Sequence, residues 1–249
     1  MRTRLIFTCV LLAFSSCLAR PALAWTHADN VAYVTALYTD LAHRNATSQE
    51  IGAFATALDS GVPRSYIARK FMTSSQVWHS EINSIYVRYV SRSATPLEWG
   101  GSTALQQTSS LVLSSPEYYK LKGGTSASFV KGLYLDVLGR LPQPGDEVLI
   151  QFEHGDVQRP YVVGAVFNSQ EARRRLDDGY CRIYLHAPCG SSAPGLSGLS
   201  LDDAIVAILS SSAYGMLHRG SNLQIPIQTR IRVPTPSPSP VPVPRRGLR

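Results

Sequence analysis

An all-α body of tandem helical repeats is the fold class the sequence predicts. Three observations carry that prediction: a recurring tyrosine–arginine signature, apolar residues at helical spacing within it, and a serine mark that closes every copy. ALYTDLAHRNAT (36–47) aligns with SIYVRYVSRSAT (84–95) and GLYLDVLGRLPQ (132–143). Tyr38, Tyr86 and Tyr134 are each 48 residues apart, as are Arg44, Arg92 and Arg140. A fourth, degraded copy begins at Arg182-Ile183-Tyr184, with Gly190 where the arginine would stand. The interval from tyrosine to closing serine alternates between 36, 29, 35 and 27 residues, so the repeats of about 48 form two long-short pairs with a period near 96.

The elements follow in chain order. Met1 to Ala24 reads as a secretory signal, with Arg2 and Arg4 ahead of the apolar run Leu5 to Phe14 and a small-residue cleavage site at Ala22-Leu23-Ala24. Lipid attachment at Cys17 is the weaker alternative, because Phe14-Ser15-Ser16 is a poor approach to such a site. The mature chain then starts at Trp25, and no later apolar run is long enough to span a membrane. The first repeat pair is placed at 25–111 and the second at 112–224. Val34, Leu37, Tyr38 and Leu41 give the first helix one apolar face, as Ile82, Ile85, Tyr86 and Tyr89 do in the second copy. Ile51, Phe54, Ala55 and Leu58 predict another helix, ended by Asp59-Ser60-Gly61, and Tyr66, Ile67, Phe71 and Met72 a third.

The closing marks are Met72-Thr73-Ser74, Leu113-Ser114-Ser115, Phe167-Asn168-Ser169 and Leu209-Ser210-Ser211. In the second, Pro116-Glu117 follows: the serine oxygen can accept a free helix N–H, proline needs no donor there, and the glutamate meets the positive dipole end. From 225 to 249 the chain is Pro-rich, basic and without an acid, and it predicts a disordered extended tail.

The overall formal charge is +7, but it belongs to the ends. Residues 25 to 224 hold 16 basic and 17 acidic side chains, which argues against nucleic acid as a partner. Cys181 and Cys189 are the pair left after signal removal, and an even pair in an oxidising compartment predicts a disulfide. Together these features point to a secreted or extracytoplasmic protein, in the periplasm or at the cell surface.

VLSSPEYYKLKGGTSASFVKGLYLDVLGRLPQPGDE (112–147) resembles the family known as domain of unknown function 4214, through SSPEYY, a Gly-containing turn and the run FVxxLYxxxLGRxP. The resemblance covers about 112–173 and, more loosely, 30–78, where the Gly-Arg-x-Pro ending is missing. It implies a helical module of exported and cell-surface proteins, similar to phycobilisome linker domains, with no catalytic residues to carry over.

Candidate chemistry is sparse. Arg44, Arg92 and Arg140 could read a carboxylate or sugar, but Glu50, Glu98 and Asp146 each lie six residues downstream, a spacing suited to a structural pair across a helix corner. Tyr38, Tyr86, Tyr134 and Tyr184 are accordingly read as packing residues. Trp78, Trp99, Tyr118 and Tyr119 would serve a carbohydrate-binding module if exposed, and Glu153-His154-Gly155-Asp156 would serve an exported enzyme. Arg173-Arg174-Arg175 reads as a solvated helix face. No metal or cofactor motif is recognised. The tail arginines Arg230, Arg232, Arg245, Arg246 and Arg249 could hold the protein peripherally to an acidic envelope polymer. The leading expectation is a non-enzymatic exported structural or interaction module that meets an unknown protein or envelope polymer.

Overall fold

The structure, a computed structural model, describes residues 25–146, 149, 158–190 and 195–219. The expected signal (1–24), the tail and its arginines, and the Glu153 to Asp156 corner lie outside the described residues. Twelve helices and no strand are found among those that are described: α1 His27–Leu41, α2 Ser48–Asp59, α3 Arg64–Met72, α4 Ser75–Val90, α5 Pro96–Trp99, α6 Leu105–Ser114, α7 Pro116–Leu121, α8 Ser126–Val137, α9 Arg159–Phe167, α10 Gln170–Leu185, α11 Leu201–Ser210 and α12 Ser212–His218. The protein is all-α.

Most of the helices start on a local cap, α3 and α6 being exceptions that begin after Pro63 and Ala104 without one. Thr26 opens α1 with a reciprocal capping box to Asp29, and Thr47 does the same for α2 with Glu50. The serine marks are caps at every copy: Ser74, Ser115, Ser169 and Ser211 accept from the backbone N–H of Val77, Tyr118, Ala172 and Tyr214. Ser74, Ser169 and Ser211 also donate to the carbonyl three residues back, at 2.7 Å in each case. One hydroxyl thus serves the end of one helix and the start of the next, which lets two helices meet with no intervening loop.

The apolar faces close on one core. Val34, Leu37 and Leu41 of α1 are fully buried, as are Ile67 of α3, Ile82 of α4, Phe129, Val130 and Leu133 of α8, and Ile205, Ile208 and Leu209 of α11. The core is continuous across the expected boundary between pairs at 111/112, which falls inside α6.

The packing repeats with the 96-residue period. α4 packs on α6 as α10 packs on α11, and α6 packs on α9 as α11 packs on α3. α7 joins the first half to α8 through an edge-on ring contact, Tyr118 to Phe129 at 5.9 Å. α12 meets α1 in the same way, Tyr214 to Tyr33 at 5.8 Å. The Tyr118 hydroxyl donates to Asp136 at 2.8 Å and that of Tyr214 to Asp40 at 3.0 Å; both hydroxyls and both acids are 96 apart. The four quarters close into a filled ring, with α6 and α11 meeting across its middle, in which α12 docks on α1 where covalent continuity cannot place it.

The two halves differ at several positions of this joint, Phe129 answering to Tyr33 and His218 to Lys122, and one difference exchanges an aromatic ring for a glycine. In one, Tyr119 lies beneath the Arg159 guanidinium, 4.8 Å from it. In the other the equivalent residue is Gly215, and the Trp25 ring takes the space, with Arg64 3.4 Å from its centre. A Cβ on Gly215 would collide with Arg64 and meet Trp25 at 2.7 Å.

Candidate functional site

The repeat corners concentrate the charged side chains, and their geometry follows from the caps. Between α1 and α2, Arg44 grips Glu50 with two donors at 2.9 and 2.6 Å, and the same glutamate accepts from the Thr47 backbone at 2.8 Å. Between α4 and α5, Arg92 repeats this grip on Glu98 at 2.9 and 2.8 Å, and Thr95 supplies the cap. After α8, Asp146 takes the role of the glutamate, accepting from the Gln143 backbone at 2.6 Å, but being shorter it meets Arg140 only at 3.5 Å. Each guanidinium also donates to the carbonyl of the next residue and lies over its own copy's tyrosine: Arg44 on Tyr38, Arg92 on Tyr86, Arg140 on Tyr134.

The remaining donors reach the next copy. Arg92 meets Glu117, the second residue of α7, at 2.8 and 2.7 Å, and Arg140 meets Glu171, the second residue of α10, at 2.7 and 2.9 Å. Arg44 finds a neutral partner at the equivalent place, the Gln76 amide at 3.2 Å. The arginine hydrogen bonds hold Glu50 and Glu98 down to about 2, and they lower Glu117 and Glu171 as well. These donors are engaged within the chain, so the corners staple helices and copies together.

The fourth corner is built differently. Cys181 in α10 is bonded to Cys189, with Cα atoms 5.4 Å apart. The Cys189 backbone donates to Asp178 at 2.9 Å. This cross-link fastens the turn that Gly190, lacking a guanidinium, cannot. Arg173 departs from the expected solvated face: it pairs with Asp177 and donates to the Leu199 carbonyl at 2.6 Å, fixing the segment that leads into α11. The cause is local, because that segment brings the Leu199 carbonyl against α10, where it takes its donor from Arg173.

A second polar cluster lies between the halves. Glu81 of α4 accepts from the Tyr184 hydroxyl of α10 at 3.3 Å. Burial pushes the Glu81 carboxyl up to about 7, with Asp202 nearby adding to the rise. Asp202, itself raised by burial, accepts from the Leu105 backbone at 3.4 Å. Such a shifted acid is a recognised mark of functional sites. Here, however, its partners are tyrosines of the core. A depression of about 250 Å³ lies elsewhere, lined by Gln106, Asn168, Arg173 and apolar neighbours. Gln106 and Asn168 bond to one another at 2.8 Å, so its floor offers no nucleophile–base pair. Among the described residues no group of three or more His, Cys, Asp or Glu could hold a metal ion.

The aromatic platform expected for a sugar is not assembled. Tyr118 is fully buried, its hydroxyl spent on Asp136. Trp78 donates to the Trp99 carbonyl at 3.2 Å, and the Trp99 ring is stacked on His79 at 4.3 Å. Tyr118 follows a capping serine and faces α8, and its position in the cap decides its burial. Reasoning from sequence missed Tyr214, Asp40, Asp136 and Glu81; the 96-residue spacing of the first three with Tyr118 was the signal that could have found the joint.

Comparison with known families matches residues 136–167 to the type VI secretion system/phage-baseplate injector OB domain. That finding overturns the resemblance to domain of unknown function 4214 over 112–173, within which it falls. The match spans about an eighth of the chain. An OB domain is a β-barrel, whereas the described part of 136–167 is the end of α8, a turn and α9. The match carries no family assignment. No curated protein and no solved structure matches the chain.

Proposed function

We propose that the protein is a non-enzymatic, exported structural or interaction module that works at the cell surface or envelope through contacts with a protein or envelope polymer. The observation that carries this reading is a recurrence on the surface. Tyr66 and Leu121 are exposed, and so are their counterparts Tyr161 and Leu217, 95 and 96 residues on. Isolated exposed apolar residues need no explanation, but apolar side chains kept at the same place in both halves, with no core to fill, suit a contact surface. The disulfide supports an oxidising compartment. No helix among the described residues is long and apolar enough to cross a membrane.

The test is co-sedimentation with purified envelopes across a salt series, comparing 25–249, 25–224, and 25–249 carrying Leu121→Ser with Leu217→Ser. The reading expects the serine variant to keep its melting temperature and lose retention. Full retention of the serine variant, or no retention of any form, would refute it. Salt-released retention seen only with 25–249 assigns the contact to the tail arginines instead.

A further inference from the structure

We propose that residues 25–72, the quarter made of α1 to α3, can be exchanged between two copies of this chain, so that its seam also serves as an interaction surface for a second copy. This inference stands apart from the envelope reading. It rests on three observations. First, the quarter is held in the ring by a non-covalent seam, α3 on α11 and α1 on α12, which reproduces the packing of α9 on α6 and the contacts of Tyr118 in α7 with Phe129 and Asp136 of α8. In the latter pair α7 leads into α8 directly, whereas across the seam Tyr214 and Asp40 are 174 residues apart. A surface that accepts a quarter supplied by a distant part of its own chain accepts the identical quarter of a second chain by the same contacts.

Second, the covalent junction of this quarter with the rest is narrow: α3 runs into α4 at Thr73-Ser74, with Ser74 extended at φ −71 and ψ 141. Third, at the corner that junction is tied by hydrogen bonds to a neutral side chain, Arg44 donating to Gln76 and Gln76 to the Ala42 carbonyl. Arg92 and Arg140 hold the next copy through Glu117 and Glu171, but Arg44 holds it only through the neutral Gln76. Rotation at Thr73-Ser74 would therefore break fewer charged contacts than rotation at either later junction, and re-docking would restore the whole seam.

The pair Arg69–Asp203, which crosses the seam at 2.7 Å with both side chains at least 40% exposed, gives the test. Full-length Arg69→Asp places two acids across its own seam, and full-length Asp203→Arg two bases. Exchange between them produces one native pair and one reversed but attractive pair, so a mixture should form heterodimers that neither variant forms alone. Each variant is first checked for native helicity by circular dichroism. The mixture is then incubated at high concentration in mild denaturant, returned to buffer, and sized by chromatography with light scattering. In parallel, Gln76→Glu, which installs the charged staple of the other junctions, should lower several-fold the dimer that the unaltered chain forms under the same regime.

Heterodimer confined to the mixture, with less dimer from Gln76→Glu, is the expected result. The idea is overturned if the mixture and the unaltered chain both stay monomeric. It is overturned equally if each variant dimerises alone as well as in the mixture, since association would then lie elsewhere.

Discussion

Arg92 spends its side chain on two carboxylates, each held by paired donors, one carbonyl and a tyrosine face, whereas Arg140 holds only Glu171 with a pair. Surface ion pairs are individually worth about 0.2–1 kcal/mol, and a fork shared by two acids lies at the upper end. Arg92→Ala is expected to lower the melting temperature by about 2–4 °C, measured by calorimetry. Arg92→Lys should recover less than half of this, because an ammonium cannot hold Glu98 and Glu117 with paired donors. The corner carboxylates also set an acid limit. With Glu50 and Glu98 held down to about 2, the stability they contribute is complete above the ordinary carboxylate range and is lost as pH falls towards 2. Glu81 works in the opposite sense: its carboxyl, raised to about 7, keeps its proton in the folded state, so stability declines as pH rises from about 4.5 to about 7. Urea titrations over that window should show a flatter profile for Glu81→Gln than for the unaltered chain, and an unchanged slope would remove Glu81 as the cause.

Among the elements, the serine marks govern how helices follow one another. Ser115→Ala and Ser211→Ala should each cost about 1 kcal/mol by denaturant unfolding, the ordinary loss of a cap. The second is expected to loosen α12 first, because nothing covalent follows it into α1; hydrogen exchange at Tyr214 and Gly215 would report the difference. Helices and their starts were legible in the sequence because both are local: the spacing of Val34, Leu37 and Leu41, and the side-chain chemistry of Thr and Ser, operate within a turn or two. The six-residue spacing of Arg44 with Glu50 was legible for the same reason. Burial of Tyr118 was not, since its fate depends on Asp136 and Phe129 of a helix it precedes. The Arg173 contacts were hidden too, because they answer carbonyls brought in from residues 196–200.

At the scale of the whole molecule, a core shared by all four quarters should unfold as one unit, so fluorescence and circular dichroism are expected to give coincident urea transitions. Replacing Cys181 and Cys189 together by serine should lower stability by about 2–3 kcal/mol on the chain-entropy account of a short loop, without splitting that transition. Ring closure is the feature the sequence concealed. The tyrosines and arginines advertise a linear array at 48 residues, whereas closure is written in Tyr214 and Asp40, which acquire meaning only when compared with Tyr118 and Asp136 one period away. The exchange of Tyr119 for Gly215 carries this further. On one side the ring that lies against an arginine comes from within a helix; on the other it is Trp25, one residue before the cap of α1. A chain that began just beyond Trp25 would leave Arg64 and Gly215 facing a hollow, so a residue that belongs to no helix helps decide how firmly the ring shuts.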